Sequence, residues 1–168
     1  MTQGMLLAIA LLFPGAPPDT FAVQAELQGL YDEISQATLQ FASDSDVDQF
    51  HDVLYMPDWV FVDTTGQTRN WSQVREGAIQ ALSSPPLDSM SQPIRKLTVT
   101  PEGATVIVDL TTVRTIVDHE GHYGRKEASH TLTDTTPFRD RWVLISDRWR
   151  LKSREQIRRP VESVDKPE

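Results

Sequence analysis

Two hydrophobic rhythms divide the chain: a helical one dominates as far as residue 82, and an extended one takes over after it. Phe21, Leu27, Leu30, Tyr31, Ile34, Leu39 and Phe41 recur at spacings near three and four, which places one buried stripe on a long amphipathic helix. Asp19 or Thr20 supplies its cap, and the pattern carries it to about Ala42. Ser43-Asp-Ser-Asp46 then breaks the rhythm and caps a short second helix bearing Val47, Phe50, Val53 and Leu54, which Pro57 stops. Asn70 caps a third, from Trp71 to about Leu82, with Trp71, Val74, Ala78, Ile79 and Leu82 apolar.

Set between the second and third helices is an extended stretch, Tyr55-Met-Pro-Asp-Trp-Val-Phe-Val-Asp63-Thr-Thr-Gly66. A strand's period of two puts Trp59, Phe61 and Asp63 on one face and Asp58, Val60 and Val62 on the other. Two readings of Asp63 follow. An acid on an aromatic face loses hydration, which raises its pKa toward the range useful for moving protons. Alternatively Asp63 opens the turn Asp-Thr-Thr-Gly, bonding to amides just beyond it while Gly66 supplies a positive φ.

Beyond the loop at Ser83-Ser-Pro-Pro-Leu-Asp-Ser, strands succeed one another. Ile94 to Thr100 leads through Pro101-Glu-Gly103 into a long run, Ala104 to Val117. Its apolar positions change face after Leu110, from Val106 and Val108 to Val113 and Val117 with Ile116 between, so a bulge in a strongly bent strand is expected. His119-Glu-Gly121-His122 reads as a hairpin turn. The last two strands, about Ala128 to Ile145 and Arg148 to Ile157, meet at Ser146-Asp147. On the first, His130, Leu132, Phe138, Trp142 and Leu144 share a face with Asp134, Thr136 and Asp140. On the second, Trp149, Leu151 and Ile157 oppose Arg148, Arg150, Lys152 and Arg154, which read as a solvated face or one that meets the acids of a second subunit. The tail from Arg158 is polar, contains prolines and is expected to be disordered.

Composition narrows the partners. The 168 residues suit a single domain. Twenty-four acids against 16 Lys and Arg give a net charge of −8, which disfavours nucleic acid and anionic membranes. There are no cysteines, which removes disulfides and thiol chemistry. Neither a metal site nor a cofactor loop is read: the histidines are scattered, and Gly121-His-Tyr-Gly124 is a hairpin feature, not a strand-to-helix phosphate loop. Met5 to Phe13 is an uncharged apolar run too short to span a bilayer as a helix. With Pro14-Gly-Ala-Pro-Pro18 after it, the run fits an export signal or, alternatively, an N-terminal tail, so the location is exported or cytoplasmic accordingly.

Three helices before a curved sheet, an early strand reading Tyr-x-Pro-Asp-Trp-Val-Phe-Val-Asp-x-x-Gly, and a late Phe138-Arg-Asp-Arg-Trp142 with Asp147-Arg-Trp149-Arg-Leu-Lys-Ser153 resemble the NTF2-like superfamily, including its SnoaL-like members. The resemblance covers roughly Phe21 to Ile157. It implies an α+β, cystatin-like cone: three N-terminal helices packed on a strongly curved antiparallel sheet, a pocket at the wide end, and homodimers through the outer sheet face. In the ketosteroid isomerase of that superfamily the proton-shuttling aspartate ends this same early strand, and Asp63 stands in the matching place. Its oxyanion hole joins a first-helix tyrosine to a protonated aspartate on a late strand. Here Ala37 to Leu39 hold no tyrosine, Tyr31 lies two turns earlier, and the late-strand position falls at Arg139 or Asp140. Each missing donor removes about 3–4 kcal/mol of transition-state stabilisation in comparable sites.

Two functional readings result. The first is a non-catalytic module that binds a small apolar or aromatic molecule between Tyr55, Trp59, Phe61, Trp71 and Trp142, or that dimerises. The other is an isomerase, cyclase or dehydratase in which Asp63 moves a proton and His130 or Arg139 steadies the charge. His130 has a plainer role open to it as a core-edge residue, and His51, next to Phe50, is expected to be exposed.

Overall fold

A computed structural model describes residues 19–118 and 128–158. The apolar run Met5–Phe13, the hairpin turn expected at His119–His122 and the tail beyond Arg158 lie outside the described residues.

Helix α1 (Thr20–Gln40) starts where the Asp19 carboxylate accepts from the amides of Phe21 and Ala22. It ends two residues before the expected Ala42, because Phe41 turns to an extended conformation. Helix α2 (Asp44–Leu54) carries a reciprocal cap between Ser43 and Asp46. It runs straight into β1 (Tyr55–Val62) and, by way of β2 (Thr68–Asn70), to α3 (Trp71–Leu82), capped by Asn70 and Gln73. The remaining strands are β3 (Ser89–Ser91), β4 (Ile94–Thr100), β5 (Gly103–Asp118), β6 (Ala128–Ile145) and β7 (Arg148–Gln156).

All seven strands join one curved sheet in the order β2-β1-β7-β6-β5-β3, with β4 also on β5. The long β5 takes two short partners along one edge, β4 opposite Gly103–Val108 and β3 opposite Thr111–Val113. Gly103 is needed at the entry to β5: its φ is +152°, and a Cβ there would run into the carbonyl of Trp142.

Three expectations need correction. The sheet is mixed, since β1 runs parallel to β7. No hairpin joins those strands, so no tight turn imposes antiparallel pairing. Second, β5 and β6 pair without a shift from Ala104↔Trp142 to Asp118↔Ala128, so the change of apolar face in β5 is not a bulge. Beyond Leu110 the inner face has left the packed core, and its apolar requirement lapses. Third, a shift does occur between β6 and β7: Arg141 faces Ser153 and Trp142 faces Leu151, which leaves Lys152 extra. One extra residue in a two-residue period reverses every later side chain. Arg154 therefore faces inward opposite Asp140, not outward with Arg148 and Arg150.

The core lies between α1 and the inner sheet face. Leu27, Tyr31, Val106, Val108 and Leu151 are fully buried, with Ile34, Leu54, Phe138 and Trp142 around them. Each such large side chain contributes about 1.5–3 kcal/mol by leaving water. Phe21 falls off this stripe and is 86% exposed. At the C-terminal edge, the Ile157 amide donates to the Pro137 carbonyl and Arg158 to that of Thr64, so order extends to the first residue of the expected tail.

Candidate functional site

The helices cover only part of the inner sheet face, and a cavity of about 490 Å³ remains beside the core. One wall comes from the C-terminal half of α1 with Val47 and Phe50 of α2. Opposite are Tyr55, Trp59 and Phe61 of β1, with Trp71, Val74, Ala78 and Leu82 of α3. The loop Ser84–Leu87 and Met90 close a third side, and the sheet contributes Arg114, Phe138 and Arg154. Among the described residues of this lining there is no carboxylate and no imidazole, and the two charged side chains are both arginines.

The arginines differ in their surroundings. Arg154 makes two hydrogen bonds to Asp140, Nε to Oδ1 at 2.9 Å and a terminal nitrogen to Oδ2 at 2.7 Å, and a third to Gln92 Oε1 at 2.9 Å. Its guanidinium also lies 4.9 Å from the Phe138 ring centre. Burial works against this charge, and the Asp140 carboxylate more than offsets it, holding the guanidinium pKa above its ordinary value. Asp140, fully buried, accepts in addition from the Tyr31 hydroxyl at 2.7 Å. The Trp142 indole donates to Tyr31 Oη at 2.9 Å, with the two rings edge to face. Burial first, and then the Asp140 charge, push the Tyr31 phenol well above its usual range, which keeps it a donor. The Gln92 amide reaches Ser35 Oγ, which donates back to the Tyr31 carbonyl. Arg114, by contrast, makes no hydrogen bond or ion pair to any described residue.

Aromatic rings pave the opposite side. His51 stacks on Trp71 at 4.1 Å and on Tyr55 at 5.2 Å, and Tyr55 meets Trp59 edge to face at 5.0 Å. Burial pushes the Tyr55 phenol up, partly opposed by the nearby Arg154 charge. The buried Trp59 Nε1 and His51 Nε2 have no partner among the described residues.

No protein-family model and no curated protein matches the chain. Solved structures do. A nuclear transport factor 2 (NTF2-like) superfamily protein from Salmonella enterica aligns over 89% of this chain and 100% of its own, at 16% identity and a TM-score of 0.57. The chain has the NTF2-like fold. Two further NTF2-fold neighbours are described as putative calcium/calmodulin-dependent kinase II association domains. The one from Exiguobacterium sibiricum has 15% identity, coverage of 87% and 99% and a TM-score of 0.53; the one from Xanthomonas campestris has 18%, 88% and 94%, and 0.52. At these identities the likeness concerns the fold alone.

Within this NTF2-like frame the expected site residues disperse. Tyr55, Trp59, Phe61 and Trp71 line the cavity together, whereas Trp142 is 1% exposed and packs behind the wall against Tyr31. Asp63 is turned into its own turn: Oδ1 accepts from the Thr65 hydroxyl at 2.6 Å and from the amides of Thr65 and Gln67 at 2.9 and 3.0 Å, and Arg69 approaches Oδ2 at 3.3 Å. The Thr65 hydroxyl first, with those amides and the Arg69 charge, holds its carboxyl below the usual carboxylate range, opposite in direction to the shift an apolar face would cause. Arg139 faces out and pairs with Glu155 at 2.8 Å, and His130 is exposed on β6 opposite Ile116, beyond the cavity lining. His51 is buried instead of exposed, because Trp71 and Tyr55 stack on its ring.

Sequence reasoning missed Arg114, Phe138 and Arg154 as wall residues. Arg154 was hidden by the Lys152 bulge. For Arg114 a signal existed: it breaks the apolar run Val113–Val117 on the parity of Val106 and Val108, the inward face.

Proposed function

We propose that this protein is a non-catalytic NTF2-like binding module that holds a small apolar or aromatic molecule in the cavity beneath the sheet. The observation that carries the reading is the lining itself: mainly aromatic and aliphatic side chains around 490 Å³, a size usual for small-molecule sites, with no acid or imidazole among the described residues that line it. Proton transfer to or from a bound carbon needs a base within hydrogen-bond reach, and Asp63 is occupied in a surface turn. The isomerase, cyclase or dehydratase alternative would have to recruit a group from outside this wall.

The test is a thermal-shift and tryptophan-fluorescence screen with small aromatic and aliphatic compounds. Ligands are expected to raise the melting temperature and perturb emission from Trp59 and Trp71, and Val74→Trp, which fills the space, is expected to abolish both effects. A screen in which no compound raises the melting temperature would remove the reading; turnover of a bound enolisable ketone that is lost in Asp63→Asn would replace it with the enzyme reading.

Self-association through the outer sheet face belongs to the same proposal. Ile107, Val143 and Ile145 lie on that face, Ile145 being 45% exposed, and two neighbours of this fold are described as association domains. Light scattering coupled to size-exclusion chromatography distinguishes a dimer from a monomer. Export by residues 1–18 is likewise proposed, and N-terminal sequencing of the protein from a periplasmic or secreted fraction tests it.

A further inference from the structure

We infer that the ligand of the cavity is an amphipathic anion, an aromatic or aliphatic body ending in a single carboxylate or similar acid, with its charged end set by Arg114. The inference rests on the binding reading above and specifies the chemistry of its ligand.

Charge placement carries it. The protein as a whole is acidic at −8, yet among the described residues the charges in the cavity wall are both positive. Arg154 is already neutralised: Asp140 takes two of its hydrogen bonds and Gln92 a third. Arg114 is not. Across the ladder it faces Leu132, which offers no charge. Asp134, the acid diagonal to it on the same face of β6, lies beyond ion-pair distance and accepts instead from Thr136. Among the described residues no carboxylate, carbonyl or hydroxyl accepts from the Arg114 guanidinium. An arginine fork with no acceptor among the described residues, set into a mainly apolar wall, presents donors in the geometry that a carboxylate fills with two parallel bonds. The partial burial of Arg114 strengthens such a pair relative to bulk water.

The position of Arg114 also orients the ligand. It stands on β5 beside β3, where Met90 faces Thr112 and Ser89 faces Val113, whereas Phe138 and Arg154 lie farther along the sheet, Phe138 facing the fully buried Val108. An acid held at Arg114 directs its apolar body inward, toward Trp59, Trp71 and Phe61. The Tyr55 hydroxyl, which makes no hydrogen bond to a described residue and stays protonated, offers a second, uncharged donor to an oxygen on that body.

The experiment is a set of matched titrations. Benzoate, 3-phenylpropionate, 1-naphthaleneacetate and dodecanoate, each beside its primary amide, are titrated by calorimetry into the full chain and into Arg114→Met, which keeps an unbranched apolar side chain and removes the charge. The expected result is an acid that binds at least about ten-fold more tightly than its amide to the wild type. The preference is expected to shrink with added salt, to vanish in R114M, and to return in part in R114K. Equal affinity for acid and amide overturns the assignment while leaving the cavity reading intact. A preference that survives in R114M also overturns it, since the anion is then held elsewhere. Failure of every acid and every amide to bind overturns the inference together with the reading beneath it. Unchanged circular dichroism and melting temperature in R114M confirm that loss of preference is not loss of fold.

Discussion

Two regions of this protein use the same side-chain chemistry to opposite ends. Behind the cavity, Tyr31, Ser35, Gln92, Asp140, Trp142 and Arg154 form a polar set drawn from α1, the β3–β4 link, β6 and β7, and each is tied to at least one other member. Elsewhere in the lining, Arg114 and the Tyr55 hydroxyl have no partner among the described residues. Buried polar groups need hydrogen bonds, so a saturated set holds a fold together while an unsaturated one is left for something to arrive. On the proposed reading, unmet bonding capacity and not polarity alone marks the binding site.

Breaking the saturated side should have the largest effect. Asp140→Ala leaves the Arg154 guanidinium buried without its counter-charge, and urea denaturation is expected to report a loss of about 3–5 kcal/mol. The paired replacement Asp140→Leu with Arg154→Met removes both charges and is expected to recover most of that loss. If the double variant were as unstable as the single, the set would be doing more than neutralising itself.

Tyr31→Phe sharpens the comparison at smaller scale. It strips one donor from Asp140 and leaves the Trp142 indole N–H without its acceptor, for an expected loss of about 1–3 kcal/mol in the same measurement. Binding of cavity ligands should be unchanged, because Tyr31 is fully buried behind the wall. A selective loss of binding would mean that the two regions are coupled.

The smallest effect belongs to Asp63. Its carboxyl is held below the usual range in the folded protein, so it stabilises above its unfolded-state pKa, and that contribution is lost as pH falls through the lowered folded value. The melting-temperature gap between wild type and Asp63→Asn should therefore be present at neutral pH and close below about pH 4. A gap that instead widened in acid would restore a raised pKa, and with it the proton-transfer reading.

Much of the fold was legible because it depends on local rules. Asp19, Ser43 and Asn70 announce their helices through capping chemistry that needs only neighbouring residues, and Gly66, at φ +86°, closes the Asp63 turn in the way the Asp-Thr-Thr-Gly spacing requires. Tyr55, Trp59, Phe61 and Trp71 were legible as wall residues for a related reason: strand alternation and helix onset aim them at one space. The three-residue strands β2 and β3 were not legible, being too short to carry a period.

By itself, then, the sequence determined the helix starts, the long strands and the aromatic character of the wall that β1 and α3 present, because periodicity and capping act over a few residues. Only the tertiary structure decided which polar groups are satisfied. The pairing of β1 with β7, the extra residue at Lys152 and the meeting of Tyr31 with Asp140 join positions far apart in the chain. A hydrogen bond between distant residues is settled by register, and a slip of one residue reverses it. That is why Arg154 reads as a surface charge in the sequence and turns inward against Asp140 in the fold.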